Sequence, residues 1–155
     1  MEGFKFDPRK LEKLNDPDRL KDIPPGYIWE KLKVDEPQTV VDLGAGTGFY
    51  SIRFAEFPGV KEVYALDISE EMIGYVKNRV VPDHPKIFPV LMEESSIPLA
   101  DDSADVLVMI NLHHEFHEPE AILHECRRVL KPGSSLAIVD WARKETEHGP
   151  PLEIR

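Results

Sequence analysis

The chain has 155 residues, a net charge of -10, 41% hydrophobic residues and a single cysteine, Cys126. That is enough for one domain with its own core and too little for two. The negative charge repels nucleic acid and anionic lipid, and a lone cysteine excludes an internal disulfide framework and fits a reducing cytoplasm.

The N-terminal MEGFKFDPRK has no apolar signal core, so no secretion is expected. No apolar run approaches the roughly 20 residues of a membrane helix, so no membrane partner is expected either. Residues 1–24 are polar and broken by prolines, and predict short helical turns over 9–14 and 18–21 in a lid-like segment. Pro25 starts a helix through residue 31, with Ile28, Trp29 and Leu32 facing inward. Residues 39–43 read as a short apolar strand, and residues 49–57 as a helix with Ile52, Phe54 and Ala55 inside. EVYALD, 62–67, is a second strand. Ser69 then caps a helix to residue 80, with Glu70 and Glu71 placed well for the helix dipole. Residues 86–92 form a third strand, and Pro89 puts it at a sheet edge. DVLVMIN, 105–111, is nearly all apolar and so buried on both faces. Residues 118–130 predict an amphipathic helix, stopped by Lys131-Pro132-Gly133, and SLAIVD, 135–140, a fifth strand. Strands alternating with helices imply right-handed crossovers and a doubly wound parallel sheet, an α/β fold with ligands at the carboxyl ends of the strands.

Those strand ends carry the chemistry. VVDLGAGTGFY places glycines at 44, 46 and 48 between the first strand and its helix. Such a turn lets a ligand approach the backbone and the helix N–H groups. A dinucleotide fingerprint needs a third small residue at position 49, where this chain has Phe49. Asp42 would repel a diphosphate and welcome a cation. A ligand with a cationic centre and a carboxylate suits the turn better. Asp67 ends the second strand where a carboxylate can accept both ribose hydroxyls, although Asp-x-Ser before a helix also reads as a plain helix start. Ile68 could pack on an adenine face, and Glu93 or Glu94 could accept from its amino group. Adenosine, an amino-acid zwitterion and a cationic centre together describe S-adenosyl-L-methionine.

VVDLGAGTGFY, VYALDIS, LMEESSIPLADDSADVLVMI and ECRRVLKPGSSLAIVDW resemble, in order and spacing, the successive motifs of class I S-adenosylmethionine-dependent methyltransferases. Within that superfamily the chain is similar to the small-molecule enzymes of the ubiquinone/menaquinone biosynthesis group. The resemblance covers about residues 25–141, the methyltransferase domain, with residues 142–155 as a tail. It implies a Rossmann-like sheet in the order 3-2-1-4-5, here lacking the usual C-terminal β-hairpin. Truncation of a longer protein is the expectation, or else a second copy or a partner covering the fifth-strand edge. The resemblance implies that Asp42, Gly44, Ala45, Gly46 and Gly48 hold the methionine part, and Asp67 the ribose. Glu93 stands where the family usually has an aspartate. Asn111 and Leu112 lie below the methionine end. The product is S-adenosyl-L-homocysteine.

His113, His114, His117 and His124 cluster after the fourth strand. A zincin needs H-E-x-x-H, and His114-Glu115-Phe116-His117 is one residue short, so no metal is expected. His113 or His114 could take a proton from the methyl acceptor, or merely close the pocket. Cys126 reads as a small buried residue rather than a nucleophile. A nucleobase amine methylase would carry Asn/Asp-Pro-Pro-aromatic where this chain has Asn111-Leu112-His113-His114. A small organic acceptor is therefore the default, with Phe4, Phe6 and Tyr27 as candidate lid residues over it. The alternatives are an S-adenosylmethionine-binding module without activity of its own, and a nucleotide-dependent oxidoreductase, which Phe49 and Asp42 disfavour.

Overall fold

The computed structural model describes residues 7–155; Phe4 and Phe6 lie outside them. Three helices come first, α1 (Pro8–Leu14), α2 (Arg19–Asp22) and α3 (Pro25–Leu32). There follow β1 (Thr39–Leu43), α4 (Phe49–Ala55), β2 (Glu62–Asp67), α5 (Glu70–Tyr75), β3 (Ile87–Leu91), β4 (Ala104–Ile110), α6 (Pro119–Val129) and β5 (Leu130–Val139). All strand pairs are parallel, in the order β3-β2-β1-β4-β5.

The strand sequences explain the layers. β1 and β4 are central and almost continuously apolar because helices or loops cover both their faces. Val40, Val63, Ala65, Val106 and Val108 point to one side, where they pack with Ile28 of α3 and Phe54 of α4. Val41, Leu43, Leu66, Leu107 and Met109 point to the other, against Ile122, Cys126 and Val129 of α6. Burial pushes the Cys126 thiol up to about 12, which suits a packing residue and not a nucleophile. Pro89 sits on the edge strand β3 opposite Ala65, where its missing N–H costs nothing.

Three expectations need correcting. The helix after Ser69 does not run as one regular piece: Ser69 Oγ accepts from Met72 N–H, but the last turn, Val76–Val80, is a π-helix. Val76 and Val80 lie beneath Gly48, where a Cβ would be 3.4 Å and 3.8 Å from their methyl groups. β5 starts earlier than residue 135: Leu130 pairs with Ala104 directly after α6, and Lys131-Pro132-Gly133 lies at a register irregularity before Ser135 meets Val106. The helix after the glycine turn stops at Ala55, short of residue 57; Trp29 and Ile52 do face inward, partly buried against the core, with Trp29 stacking on Phe57 at a ring-centroid distance of 4.3 Å.

Among the described residues, β5 is paired on one side only. A cleft of about 730 Å³ runs between it and α3, lined by Tyr27, Leu136 and Ile138 among others. Tyr27, a candidate lid residue, is among the residues lining that cleft. No helix of the described residues is long and apolar enough to cross a membrane.

Candidate functional site

The turn after β1 is built on backbone conformations that favour glycine. Gly44, Gly46 and Gly48 have φ of 72°, 57° and 77°. Gly44 and Ala45 N–H groups donate to Leu66 O at the end of β2, at 2.8 Å and 2.9 Å, which fastens the turn to the neighbouring strand. A Cβ on Gly44 would come within 2.5 Å of the Leu112 side chain, so Leu112 lies directly under the turn. Among the described residues, a Cβ on Gly46 would meet nothing within 4 Å, so the backbone there borders space that they leave open.

Asp67 binds the turn from the side. Its Oδ2 accepts Gly46 N–H and its Oδ1 accepts Ser69 N–H, each at 2.9 Å. Ile68 follows and is exposed, at 61%, an unusual place for a large apolar side chain unless something flat covers it. Glu93 is exposed and forms an isolated bridge with Ser96 just beyond β3. Glu94 is engaged elsewhere: its Oε1 accepts His117 N–H at 3.1 Å and lies 2.8 Å from His117 Nδ1. Of the two acids, Glu93 is the one left facing outward.

Asp42 is buried, and Ser51 of α4 donates to its Oδ2 at 2.6 Å. Burial pushes its carboxyl up to about 7, the Ser51 hydrogen bond opposing this and the nearby Asp67 charge adding to it. The direct contact with a cation expected from the sequence is not open here. The carboxyl sits behind the turn, where a positive charge in front would favour its ionised form.

Asn111, at the end of β4, holds φ 54°, and its N–H donates to Val139 O at 2.7 Å. The chain then turns through a short 3₁₀ segment, His113–Glu115. His113 Nε2 is buried without a hydrogen-bond partner among the described residues. His114 Nδ1 lies 2.7 Å from Asp140 Oδ1 at the end of β5. His117 is exposed on the Glu94 side, and His124 is exposed on α6.

Sequence reasoning missed the strap over the turn. Thr47 Oγ1 donates to Asn15 Oδ1 at 2.8 Å, and Asn15 Nδ2 lies 3.4 Å from Tyr75 Oη. The Tyr50 hydroxyl is 3.1 Å from both Arg19 O and Ile23 O, while the Arg19 guanidinium lies over the Phe49 and Tyr50 rings. Residues 15–23 are thus fastened across the start of α4. The one local signal was a polar Thr47 inside a glycine turn; the partners are far away in sequence.

Comparison with known proteins matches residues 41–138 to the family described as methyltransferase domain. The crystal structure of a SAM dependent methyltransferase from Aquifex aeolicus is 39% identical, with a TM-score of 0.87 over 97% of this chain and 81% of that one. A ubiquinone/menaquinone biosynthesis C-methyltransferase of Paraburkholderia phymatum is 36% identical over 67% of this chain and 43% of its own length. A malonyl-[acyl-carrier protein] O-methyltransferase of Methylococcus capsulatus is 38% identical over 65% of this chain and 36% of its own. The chain spans less than half the length of these curated relatives.

Proposed function

The chain belongs to the family of class I S-adenosylmethionine-dependent methyltransferases, and from that premise we propose that it transfers a methyl group from S-adenosyl-L-methionine to a small organic acceptor. The donor set suits this cofactor. The open space at Gly46 leaves room for the methionine part against the turn. Asp67 has used one lone pair on each oxygen, for Gly46 N–H and Ser69 N–H, and keeps another on each for the ribose hydroxyls. Exposed Ile68 offers an apolar face to adenine, and Glu93 an acceptor for its amino group. Asp42, its carboxyl raised by burial, would be shifted toward the ionised form by a bound cation in front of the turn.

When bound, S-adenosyl-L-methionine supplies a methyl group already activated on a sulfonium, and it leaves as S-adenosyl-L-homocysteine. The protein's share is to orient the reactants, exclude water and, where the acceptor holds a proton, receive it. Leu112 underlies the turn, and Asn111 precedes it at the end of β4. His113 and His114 stand at the end of β4, on the acceptor side.

The acceptor does not follow from family membership, since one relative is a C-methyltransferase and another an O-methyltransferase. A small molecule is supported by the acidic net charge and by the absence of Asn/Asp-Pro-Pro at residues 111–114. The lone thiol and the charge fit a cytoplasmic setting. A second copy or a partner would pair along the free edge of β5, which equilibrium sedimentation tests; a monomer at high concentration removes that part.

The observation that carries the reading is the Gly46 cradle tied to Asp67. Calorimetric titration with S-adenosylmethionine, S-adenosylhomocysteine and NAD tests it. Binding of the two sulfur ligands is expected; binding of NAD alone would refute it. A turnover screen with labelled methyl then separates the enzyme from a cofactor-binding module.

A further inference from the structure

β4 and β5 run parallel with Ile110 opposite Val139, so the residues that follow each strand come together. Two of them form a buried pair. His114 Nδ1 lies 2.7 Å from Asp140 Oδ1, and the His114 backbone N–H donates to Asp140 Oδ2 at 3.0 Å. Trp141 N–H donates to Oδ1 at 2.8 Å. The two side chains are only 9% and 17% exposed.

Burial by itself would raise the Asp140 carboxyl, but hydrogen bonds from Trp141 N–H, His114 N–H and the His114 ring outweigh it and hold the group below the usual range. Asp140 is therefore a carboxylate, an acceptor at both oxygens. It has no proton to give, so Nδ1 must be the donor. A neutral imidazole then carries its proton on Nδ1 and a bare lone pair on Nε2. Glu115 Oε1 lies 3.9 Å from Nε2, too far for a hydrogen bond. Among the described residues Nε2 has no hydrogen-bond partner.

Resting on the methyltransferase reading, we propose that Asp140 is a positioning residue that fixes the His114 tautomer, so that Nε2 receives a proton from the methyl acceptor. The substrate class follows from the chemistry. The acceptor carries a weakly acidic X–H, as in a phenol or a thiol. In the step the X–H bond breaks, its proton passes to Nε2, and its electron pair stays on X to form the bond to the incoming methyl carbon, whose bond to the donor sulfur would break with its pair leaving on S-adenosyl-L-homocysteine. An amine that is already unprotonated has no need of this base.

A plainer role for Asp140 is to tether the 3₁₀ turn to β5. Asp140→Asn separates the two. Asparagine keeps an oxygen for the His114 N–H, so a tether survives. In that orientation its amide NH₂ faces Nδ1, sets the imidazole proton on Nε2 and removes the lone pair, at the cost of the Trp141 N–H bond; the flipped amide keeps Trp141 N–H and the Nδ1–H tautomer, and the tautomer spectrum tells the two apart.

The test uses the ¹⁵N-labelled chain and long-range ¹H–¹⁵N spectra at about pH 8, where free imidazole is neutral. Wild-type His114 is expected as the Nδ1–H tautomer and Asp140→Asn as the Nε2–H tautomer. Turnover is measured with tritiated methyl donor against a panel of phenols, thiols and amines. Asp140→Asn should lower kcat on phenols or thiols by about a hundredfold or more, with KM and S-adenosylhomocysteine affinity nearly unchanged. Should that variant not fold, or keep the Nδ1–H tautomer, His114→Gln, which leaves Asp140 its two backbone donors, carries the same kcat measurement. A wild-type Nε2–H tautomer, an unchanged kcat in an Asp140→Asn chain whose tautomer has moved, or an unchanged kcat in His114→Gln overturns the proposal. Methylation of amines with no turnover of any phenol or thiol overturns the acceptor class. Failure of the wild-type chain to bind S-adenosylhomocysteine strikes the methyltransferase reading instead, and the tautomer result still stands on its own.

Discussion

Gly46→Ala is the substitution that separates a ligand cradle from a tight loop. Gly46 has φ 57°, and an alanine there costs about 1–2 kcal/mol for the left-handed conformation. Lost freedom in the unfolded chain returns about 0.4–1 kcal/mol of that. No clash adds to it, because no heavy atom beyond its chain neighbours lies within 4 Å of the new Cβ. The fold should therefore lose about 1 kcal/mol, read as a small shift in urea midpoint with an unchanged slope. Ligand affinity should fall further, by tenfold to a hundredfold, or about 1.4–2.8 kcal/mol. The methyl would occupy space that the cofactor's methionine part needs. Gly44→Ala is the contrasting control. There the Cβ would lie 2.5 Å from Leu112 Cδ2, within the protein itself. Left-handed strain and repacking of Leu112 together should cost folding about 2–4 kcal/mol. Urea melts and calorimetry with S-adenosylhomocysteine measure both variants. If Gly46→Ala binds the ligand as well as wild type, the turn is only a βα connection, and the reading built on it fails.

Other perturbations give separate outcomes. Asp67→Ala should weaken S-adenosylhomocysteine binding by roughly 1.5–3 kcal/mol, the range for hydrogen bonds to a charged group; an unchanged Kd in calorimetry would leave Asp67 as a helix start only. Asp42, raised to about 7 against an unfolded value of 3.8, makes the native state hold more protons than the unfolded one between those values. Stability should then fall as pH rises through that window, by up to roughly 4 kcal/mol at 1.36 kcal/mol per unit. Urea midpoints from pH 4 to 8 check it, and Asp42→Asn should flatten the trend. If a bound cation favours the carboxylate, S-adenosylmethionine binding should release a proton below neutrality, visible as buffer-dependent heat. Asp105 has the opposite sign: burial would raise it, but hydrogen bonds from Thr39 N–H, Lys131 and Gln38 N–H win and lower it. Its contribution is present above the ordinary aspartate value and is lost as pH falls through the folded one, so Asp105→Asn should cost about 1–3 kcal/mol near neutrality and much less in acid.

Much of the sheet was legible because its information is local. TVVDL and ADVLVMI are apolar runs with turn residues at their ends, and a strand buried on both faces needs little else. Pro89 marked an edge because only an edge tolerates the missing donor. The early start of β5 was hidden because Lys131-Pro132-Gly133 carries loop chemistry, and only Ala104 across the sheet draws Leu130 into pairing. The π turn at Val76–Val80 was equally hidden, since no residue in VKNRV departs from ordinary helical composition.

The site divides along the same line. Glycines at positive φ are visible in a sequence, because few other residues tolerate those angles. Pairs that close only in space are not: Thr47 with Asn15, Glu94 with His117, and Asp140 with His114. Asp67 shows why the two sequence readings of one residue need not compete. As a helix start it holds Ser69 N–H, and through Gly46 N–H it also holds the glycine turn. Each bond uses a different oxygen, and a carboxylate offers about four acceptor positions. The backbone donors consume two and fix the plane of the group. The remaining two are then aimed before any ligand arrives, so the ordering cost of the side chain falls on folding and not on binding. A carboxylate already held by two backbone N–H groups is in this way better prepared to hold a ribose than one left free to rotate.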